Sequence, residues 1–223
     1  MELLYPFCDF LQRGALRVIA DWKVTGVENV PPGGPLIVVA NHLSQTDPSF
    51  VGAAIPRRPY FLAKKELFSH PIAGRLIRSY GGHPLNRGGV DIAAYRWAMR
   101  LLDHDGTLVL FPEGTRSSGG MRKARDGATH IALNSQASIL PVGITGSEAF
   151  GSWANVFYPK ARIRVNIGRA FTLPHIEGRP NRDVLRSLTD MMMDRVAMLL
   201  PPEYRGAYGL PTASGAALTA AVD

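Results

Sequence analysis

His42 and Asp47 are the residues of this chain whose types and spacing best suit acid–base chemistry. They lie in the stretch Asn41-His42-Leu43-Ser44-Gln45-Thr46-Asp47, which follows an apolar run and precedes a proline. A carboxylate that accepts a hydrogen bond from one ring nitrogen of a histidine leaves the other nitrogen free to remove a proton from a hydroxyl. The pair therefore suggests a general base, His42, that is oriented by Asp47.

Both residues also have a simpler structural interpretation. An aspartate followed by a proline is a common start of a helix, so Asp47 could serve as the cap of a helix that begins at Pro48. A single histidine beside a strand is more often structural than catalytic, and this short spacing is a weak motif by itself. The stretch alone leaves both interpretations open.

The segment before this stretch predicts how His42 is positioned. Residues 36–40 form a β-branched apolar run without alternation, which is typical of a strand buried on both faces of a parallel sheet. Further strands are predicted at 59–63, 83–86, 107–111, 138–145 and 161–167. Helices are predicted between them at 48–55, 64–80, 91–104 and 128–136, and after Asn181.

This alternation of strands and helices predicts an α/β fold: a single domain with a mostly parallel central sheet flanked by helices. In such sheets ligands bind outside the carboxyl ends of the strands, so His42 is expected to reach a cleft. The length of 223 residues suits one domain, which we place at residues 24–205. Residues 206–223 are predicted to be a disordered C-terminal tail.

An N-terminal amphipathic helix is predicted over residues 1–23, because apolar side chains recur at helical spacing from Leu4 to Trp22. This helix either packs on the core of the domain or lies in a membrane interface as an anchor. An aromatic-rich loop raises the same two alternatives, a lid on the core or a membrane-facing patch. Its aromatic residues are Phe150, Trp153, Phe157 and Tyr158.

Composition narrows the function class. Hydrophobic residues make up 46% of the chain and charged residues 19%, which argues against disorder. The single cysteine, Cys8, cannot form an intrachain disulfide, and neither cysteine nor histidine occurs at metal-site spacing, so no metal is expected. The net charge of +7 favours an anionic partner, which could be nucleic acid, a phospholipid surface or a phosphorylated substrate.

Four blocks that follow one another along the chain resemble the glycerolipid acyltransferase family, whose best-known members are the lysophosphatidic acid (1-acylglycerol-3-phosphate) acyltransferases. The third block is a near-complete match to the family signature. In the second block, Pro84-Leu85-Asn86 replaces the polar residue and apolar pair that the family usually has before its arginine. The blocks are Asn-His-x4-Asp at 41–47, Pro-Leu-Asn-Arg at 84–87, Phe-Pro-Glu-Gly-Thr-Arg-Ser at 111–117 and Leu-Pro-Val-Gly at 140–143.

The resemblance implies a catalytic role for the first block, with His42 as the base and Asp47 as the residue that orients it. It also implies direct attack by the acceptor alcohol on the acyl thioester. A covalent route through Ser44 is disfavoured, because the chain has no Gly-x-Ser-x-Gly elbow.

The resemblance implies that the other matching positions bind the substrate. Arg87 and Arg116 offer bidentate donors suited to a phosphate. Glu113 is expected to orient Arg116 or an acceptor hydroxyl, since an ionised carboxylate only accepts hydrogen bonds. The remaining predicted substrate-binding residues are Gly114, which lets the backbone approach the ligand, its neighbour Thr115, and Lys64, for which Lys65 is a close second.

The implied reaction is transfer of a fatty acyl group from acyl-CoA or acyl-carrier protein, as co-substrate and without a further cofactor, to the hydroxyl of a lysophospholipid. With 1-acylglycerol 3-phosphate as the acceptor, the product is phosphatidic acid. The protein is expected to act peripherally on an anionic membrane at its cytoplasmic face, with no nucleic-acid partner. The alternatives are another acceptor (glycerol 3-phosphate, another lysophospholipid or an amino-lipid), a thioesterase, and a non-catalytic basic binding module.

Overall fold

Seven strands form the centre of the fold in the computed structural model, which describes residues 13, 14, 16, 18, 20–117, 119–150, 162–178 and 180–209. The strands lie side by side in the order β1-β7-β6-β2-β5-β3-β4. Neighbours are parallel except for β6 and β7, so β1 and β7 run opposite to the other five. The strands are β1 (Asp21–Thr25), β2 (Leu36–Ala40), β3 (Pro59–Lys64), β4 (Gly82–Leu85), β5 (Thr107–Leu110), β6 (Ser138–Thr145) and β7 (Arg162–Ile167).

Five α-helices in the described part of the chain cover the two faces of this sheet. A core cluster on one face contains buried residues of α1, and a second cluster contains buried residues of α3, α4 and α5. The connections β2-α1-β3 and β3-α2-β4 progress in the same direction across the sheet, so right-handed crossovers place α2 on the face of α1. The helices are α1 (Asp47–Ala54), α2 (Pro71–Ser79), α3 (Ile92–Asp103), α4 (Gly127–Ser135) and α5 (Arg182–Ala197).

The predicted α/β class and mostly parallel sheet are confirmed. The run at 36–40 is β2, and all five of its side chains are buried, as expected for a strand covered on both faces. It lies between β5 and β6, and it is parallel to both.

The N-terminal region differs from the sequence prediction. A strand, β1, occupies 21–25, where the amphipathic helix was expected to continue to residue 23. Its side chains alternate between exposed and half-buried, and Trp22 packs against Phe50 with ring centroids 5.7 Å apart. The prediction followed helical spacing and missed this period of two, because the strand forms by pairing with β7, about 140 residues later in the chain.

Two of the described residues before β1, Arg13 and Leu16, contact the domain, whereas Val18 is 87% exposed. Residues 13, 14, 16 and 18 are helical. Leu16 is buried in the core cluster of α1, and the guanidinium of Arg13 donates to the carbonyl oxygens of Gly52 and Ile55 at 3.2 and 3.1 Å. The rest of the predicted helix (residues 1–12, 15, 17 and 19), Trp153, Phe157, Tyr158 and the tail from residue 210 lie outside the described residues.

Two predicted boundaries also change. Lys64 ends β3 instead of starting a helix, and a 3-10 turn, Lys65–Phe68, separates it from α2. Pro71 is the first residue of α2, where its fixed φ and missing N–H are compatible with a helix. At the C-terminal end of the domain, Tyr208 is buried in the core, so the domain continues past the predicted boundary at residue 205.

The topology of the sheet predicts a crevice at the carboxyl ends of β2 and β5. These strands are neighbours, but β2 leads into α1 on one face, whereas β5 leads into α4 on the other face. The two connections therefore diverge above adjacent strands, which is the arrangement that forms ligand crevices in open α/β sheets. The first and third sequence blocks begin at this point.

Candidate active site

The side chains of His42 and Asp47 are in direct contact at the end of β2. The ring Nδ1 of His42 lies 2.8 Å from Oδ2 of Asp47. The same Oδ2 accepts hydrogen bonds from the backbone N–H groups of Leu43 and Ser44, at 2.6 and 2.7 Å. Because this oxygen acts as an acceptor, the third hydrogen bond must be donated by Nδ1–H, which leaves Nε2 of a neutral ring as an acceptor.

The position of the imidazole ring is fixed on a second side by Phe111. The two ring centroids are 4.4 Å apart, and the rings are stacked with an interplanar angle of 28°. The His42 side chain is 13% exposed and Asp47 is fully buried. The structure therefore holds a partly accessible imidazole whose carboxylate partner is shielded from water.

Asp47 is not a helix cap in this structure. It is the first residue of α1, Thr46 is the cap residue, and no side-chain hydrogen bond caps the helix. The Asp47 carboxylate instead closes the loop 42–47 and orients the histidine. This geometry is the one that the interpretation of Asp47 as an orienting residue requires.

Glu113 connects the third block to the first. Its Oε1 accepts from the backbone N–H of His42 at 2.9 Å, and its Oε2 accepts from the backbone N–H of Arg122 at 2.8 Å. Burial raises the pKa of the Glu113 carboxyl above its usual value of 4.5, against the lowering effect of these two hydrogen bonds. Both oxygens thus accept from backbone N–H groups, and in the described part of the chain Arg116 donates no hydrogen bond to Glu113.

Asn41 is a residue of the first block for which the sequence suggested no role. It is fully buried, its Nδ2 donates to the carbonyl oxygen of Ile144, and its Oδ1 accepts from the N–H of Ile144, at 2.9 and 2.7 Å. The side chain therefore extends the pairing of β2 with β6 by one step, directly before His42. The fourth block, residues 140–143, lies within β6 directly before Ile144.

The loop after β5 is bound by hydrogen bonds to the first block and to residues 204–208. The N–H of Ser117 donates to the carbonyl oxygen of His42 at 2.8 Å. Further along the loop, Met121 exchanges backbone hydrogen bonds with Tyr204 and Ala207, and the hydroxyl of Tyr208 accepts from the N–H of Ala124. Residues 204–208, most of which the sequence assigned to the tail, therefore hold the loop that carries Glu113.

Gly114 has the backbone freedom that the third block requires. Its φ is +70°, a conformation that favours glycine, and a Cβ at this position would lie 3.2 Å from Nε of Arg125. The next two residues, Thr115 and Arg116, are exposed. A side chain at position 114 would therefore strain the loop that presents Arg116.

Three predicted phosphate-binding cations lie at the same edge of the sheet but not in contact with the histidine. Lys64 ends β3, Arg87 follows the end of β4 by two residues, and Arg116 lies in the loop after β5. All three are exposed, and Lys64 is 3.8 Å from Glu66 in the 3-10 turn. With strands about 4.8 Å apart, β5 is one spacing from β2 and β4 is three, so Arg116 starts much closer to His42 than Arg87 does.

The altered second block forms an ordered turn. The N–H of Asn86 donates to Asp91 Oδ2 at 2.8 Å, and Oδ1 of Asn86 accepts from the N–H of Gly88 at 3.1 Å. Asp91 also caps α3 by accepting from the N–H of Ala94. Asn86 thus shapes the turn that carries Arg87 through hydrogen bonds with residues at most five positions away.

Ser44 is poorly suited to act as a nucleophile. It is fully buried, and its Oγ accepts hydrogen bonds from the hydroxyl of Thr46 at 3.0 Å and from the N–H of Thr46 at 3.4 Å. A nucleophile must approach a substrate carbonyl, and a hydroxyl enclosed by its own loop cannot do so.

Comparison with known proteins places this site in a family. The family model described as Acyltransferase matches residues 21–145, which is more than half of the chain and includes all four blocks. The chain belongs to the acyltransferase family. The family assignment made from the four blocks is thereby confirmed.

Relatives of this acyltransferase include a 1-acyl-sn-glycerol-3-phosphate acyltransferase of Bacillus subtilis, which is 24% identical over 197 residues that cover 88% of this chain and 96% of that protein. The enzyme of the same name from Streptococcus pneumoniae is 31% identical over 143 residues, 63% of this chain and 52% of that protein. The crystal structure of a 1-acyl-sn-glycerophosphate acyltransferase from Thermotoga maritima superimposes with a TM-score of 0.67. The two sequences are 26% identical, and the match covers 83% of this chain and 75% of the Thermotoga maritima chain.

The described part of the acyltransferase contains neither a cluster of metal ligands nor a helix that could span a membrane. Its histidine, cysteine, aspartate and glutamate side chains form no group of three or more that could hold a metal ion. No described helix combines the length and the apolar character that crossing a bilayer would require.

Proposed function

We propose that this acyltransferase moves a fatty acyl group from an acyl thioester to the free hydroxyl of a lysophospholipid, with 1-acylglycerol 3-phosphate as the acceptor and phosphatidic acid as the product. The observation that carries this proposal is the His42–Asp47 contact at the crevice between β2 and β5. The names of the relatives and the exposed cations at the same edge support a phosphorylated acceptor.

The proposed reaction has two proton transfers. Nε2 of His42 removes the proton of the acceptor hydroxyl as its oxygen attacks the thioester carbonyl carbon, and Asp47 stabilises the imidazolium that forms. When the tetrahedral intermediate collapses, the carbon–sulfur bond breaks and the thiolate takes the proton from His42. The products are a new ester and a free thiol, and no cofactor other than the thioester co-substrate takes part.

The acceptor phosphate would be held by Arg116, with Lys64 and Arg87 further along the edge. A guanidinium donates two parallel hydrogen bonds to a phosphate, which fixes the distance between the phosphate and the reacting hydroxyl. The reaction would take place on an anionic membrane, at its cytoplasmic face, with the protein bound peripherally. The product supports the membrane location, because a lipid with two acyl chains leaves a bilayer for water only at a high cost in free energy.

One experiment tests the substrate class directly. Purified protein is incubated with labelled acyl-CoA or acyl-carrier protein and with a panel of acceptors, and the products are identified by mass. We expect phosphatidic acid from 1-acylglycerol 3-phosphate and little product from its unphosphorylated analogue. Loss of the thioester at the same rate without any acceptor would instead identify a thioesterase.

A further inference from the structure

Large apolar side chains are exposed mainly in one segment, the connection from the end of β3 to the start of α3. Among the described residues nine large apolar side chains are exposed, and five of them lie between residues 64 and 92. Ile72 and Leu76 on α2 are 75% and 57% exposed, and the other three are Leu67, Val90 and Ile92. Leu67, Ile72 and Leu76 lie on α2 and on the 3-10 turn that packs against it, and an exposed apolar patch of this kind indicates an interaction site.

The outward face of α2 is fixed by its packing. Gly74 is buried against the backbone of Phe68, where a Cβ would lie 2.7 Å from the carbonyl oxygen. Ile72, Arg75 and Leu76 have helical spacing and form an exposed stripe. This stripe therefore points away from the domain because a glycine allows close packing on the other side.

Arginines flank the apolar stripe. Arg75 and Arg78 are exposed on α2, and the guanidinium of Arg78 lies 5.0 Å from the ring centroid of Phe68. Together with Arg58, these residues line a cleft of about 570 Å³ beside α2. The acidic residues of the segment 64–92 are occupied elsewhere, because Glu66 is near Lys64 and Asp91 caps α3.

We propose that this face, which we call the α2 surface (Leu67, Ile72, Arg75, Leu76 and Arg78), docks on an anionic phospholipid bilayer. The aliphatic side chains enter the boundary between headgroups and acyl chains, and the arginines bind headgroup phosphates, as in helices that lie in a membrane interface. Charge decides between this occupant and a second copy of the chain. A copy would bring its own net charge of +7 against the arginines, whereas an anionic bilayer attracts them.

The α2 surface also deepens the proposed function, on which its role in substrate delivery rests. Helix α2 begins directly after the turn that follows Lys64, at the carboxyl edge of the sheet. A bilayer against α2 would therefore lie beside the edge that carries His42 and the predicted phosphate-binding cations. An acceptor lipid could then enter the crevice from the bilayer without crossing bulk water.

A site-specific label tests docking without any substrate. In a Cys8→Ser background, the only cysteine is introduced by Leu76→Cys or, as the matched control directly after α5, by Met198→Cys, whose native side chain is 74% exposed. Each protein carries an environment-sensitive dye and is mixed with vesicles of phosphatidylcholine alone or with phosphatidylglycerol. We expect a shift to shorter emission wavelength and quenching by nitroxide lipids at position 76, with anionic vesicles only, and neither effect at position 198.

Three results would overturn the proposal: absence of vesicle binding, a label at position 76 that stays in water while the protein binds vesicles, and an emission shift without vesicles. The last result would identify a second copy of the chain as the occupant. Equilibrium binding gives an independent measurement. Arg75→Gln should weaken binding to anionic vesicles about 5-fold, the change that corresponds to roughly 1 kcal/mol, whereas Arg182→Gln on α5 should have no such effect.

Acyl transfer to a short-chain soluble acceptor separates this proposal from the proposed function. The double variant Ile72→Ser, Leu76→Ser should keep its turnover on the soluble acceptor and lose activity on acceptor presented in anionic vesicles. Transfer without docking would reject only the α2 surface, and docking without transfer to any acceptor would reject only the proposed reaction.

Discussion

At the end of β2 the side chains of His42 and Asp47 are held by contacts on several sides, whereas the cations at the ends of β3 and β4 and in the loop after β5 are exposed. The Asp47 carboxylate is fully buried, and the Lys64 side chain is 52% exposed. The histidine is restrained by a hydrogen bond, a stacked ring and backbone bonds at its own N–H and carbonyl oxygen. One edge of one sheet therefore contains a rigid part and a solvated part.

The difference suits the two chemical tasks that the proposed function requires. Proton transfer requires the donor and acceptor atoms to be within hydrogen-bond distance, so a base that is already ordered avoids a loss of entropy during the reaction. An anion site exchanges substrate and product, and exposed cations bind phosphate less strongly because water screens their charge. We expect substitutions in the rigid part to reduce turnover and those in the solvated part to weaken acceptor binding.

The largest effect is expected for His42→Ala. Removal of the base should lower kcat by about 10²–10⁴-fold, which corresponds to roughly 3–5 kcal/mol, with little change in the free energy of unfolding. His130→Ala, at an exposed position of α4, is the matched control. A folded His42→Ala protein with the turnover of the wild type would reject the assignment of the base.

Asp47→Asn is expected to lower kcat by about 10–10²-fold, less than loss of the histidine. An amide oxygen can still accept the hydrogen bonds of Oδ2 and keep the ring in place, but a neutral side chain does not stabilise the imidazolium. The control is Asp103→Asn at the exposed end of α3. If kcat fell as far as in His42→Ala while unfolding became easier, Asp47 would be needed for the loop structure more than for the charge.

The sequence predicted the parts of this site that depend on local patterns. The buried run at 36–40, the turn after it and the His42–Asp47 spacing lie within one short segment, and the structure agrees with their predicted geometry. The contacts of Asn41 with Ile144 and of Glu113 with the N–H of His42 join residues 103 and 71 positions apart. No local pattern encodes such contacts, so the roles of Asn41 and Glu113 appeared only with the fold.

The same reason explains the errors in the fold. Strand β1 forms through its parallel pairing with β7, and its first three residues, 21–23, also fit the end of the helical pattern before them. Tyr208 is buried because it packs under the loop 121–124, although the residues after it have the composition of a tail. Asn41 could be noticed in the sequence only because it belongs to the first block, and that membership does not show that its side chain pairs with the backbone of Ile144.

Glu113→Gln tests whether the rigid part depends on the backbone contacts of the carboxylate. An amide offers one acceptor where the carboxylate offers two, so one buried N–H loses its partner at a cost of roughly 1–3 kcal/mol in the free energy of unfolding. Because His42 moves with its backbone, kcat should also fall, by less than in Asp47→Asn. Glu203→Gln, which is exposed, is the control for urea unfolding and turnover.

The pH dependence of this variant gives a second measurement. The pKa of Glu113 is raised by burial, so above pH 4.5 the unfolded state loses the proton that the folded state keeps. The contribution of Glu113 to stability is therefore complete below pH 4.5 and decreases as the pH rises through the folded-state pKa. The stability difference between the wild type and Glu113→Gln should shrink over this range, and a difference that grew would show that the carboxylate is stabilised in the folded protein.

The smallest effects are expected in the solvated part, where the two arginines can be compared. Arg116→Ala should raise the KM for a phosphorylated acceptor about 5-fold to 10-fold, because the loop after β5 is one strand from His42. Arg87→Ala should raise it only about 2-fold to 3-fold, since β4 is three strands away and its exposed charge is screened. The KM for the acyl thioester should change much less in both variants, and Arg182→Ala is the control for net charge.

The comparison of phosphorylated with unphosphorylated acceptors makes this prediction specific. A cation that binds the phosphate contributes only when the phosphate is present, so each variant should lose part of the preference for the phosphorylated acceptor, and Arg116→Ala should lose more of it. Equal losses in the two variants would mean that the acceptor extends along the whole edge from β2 to β4. An unchanged preference in both variants would assign phosphate binding to other cations of this edge. Lys64→Ala would then be the next variant to measure, because Lys64 ends β3, which lies between β5 and β4.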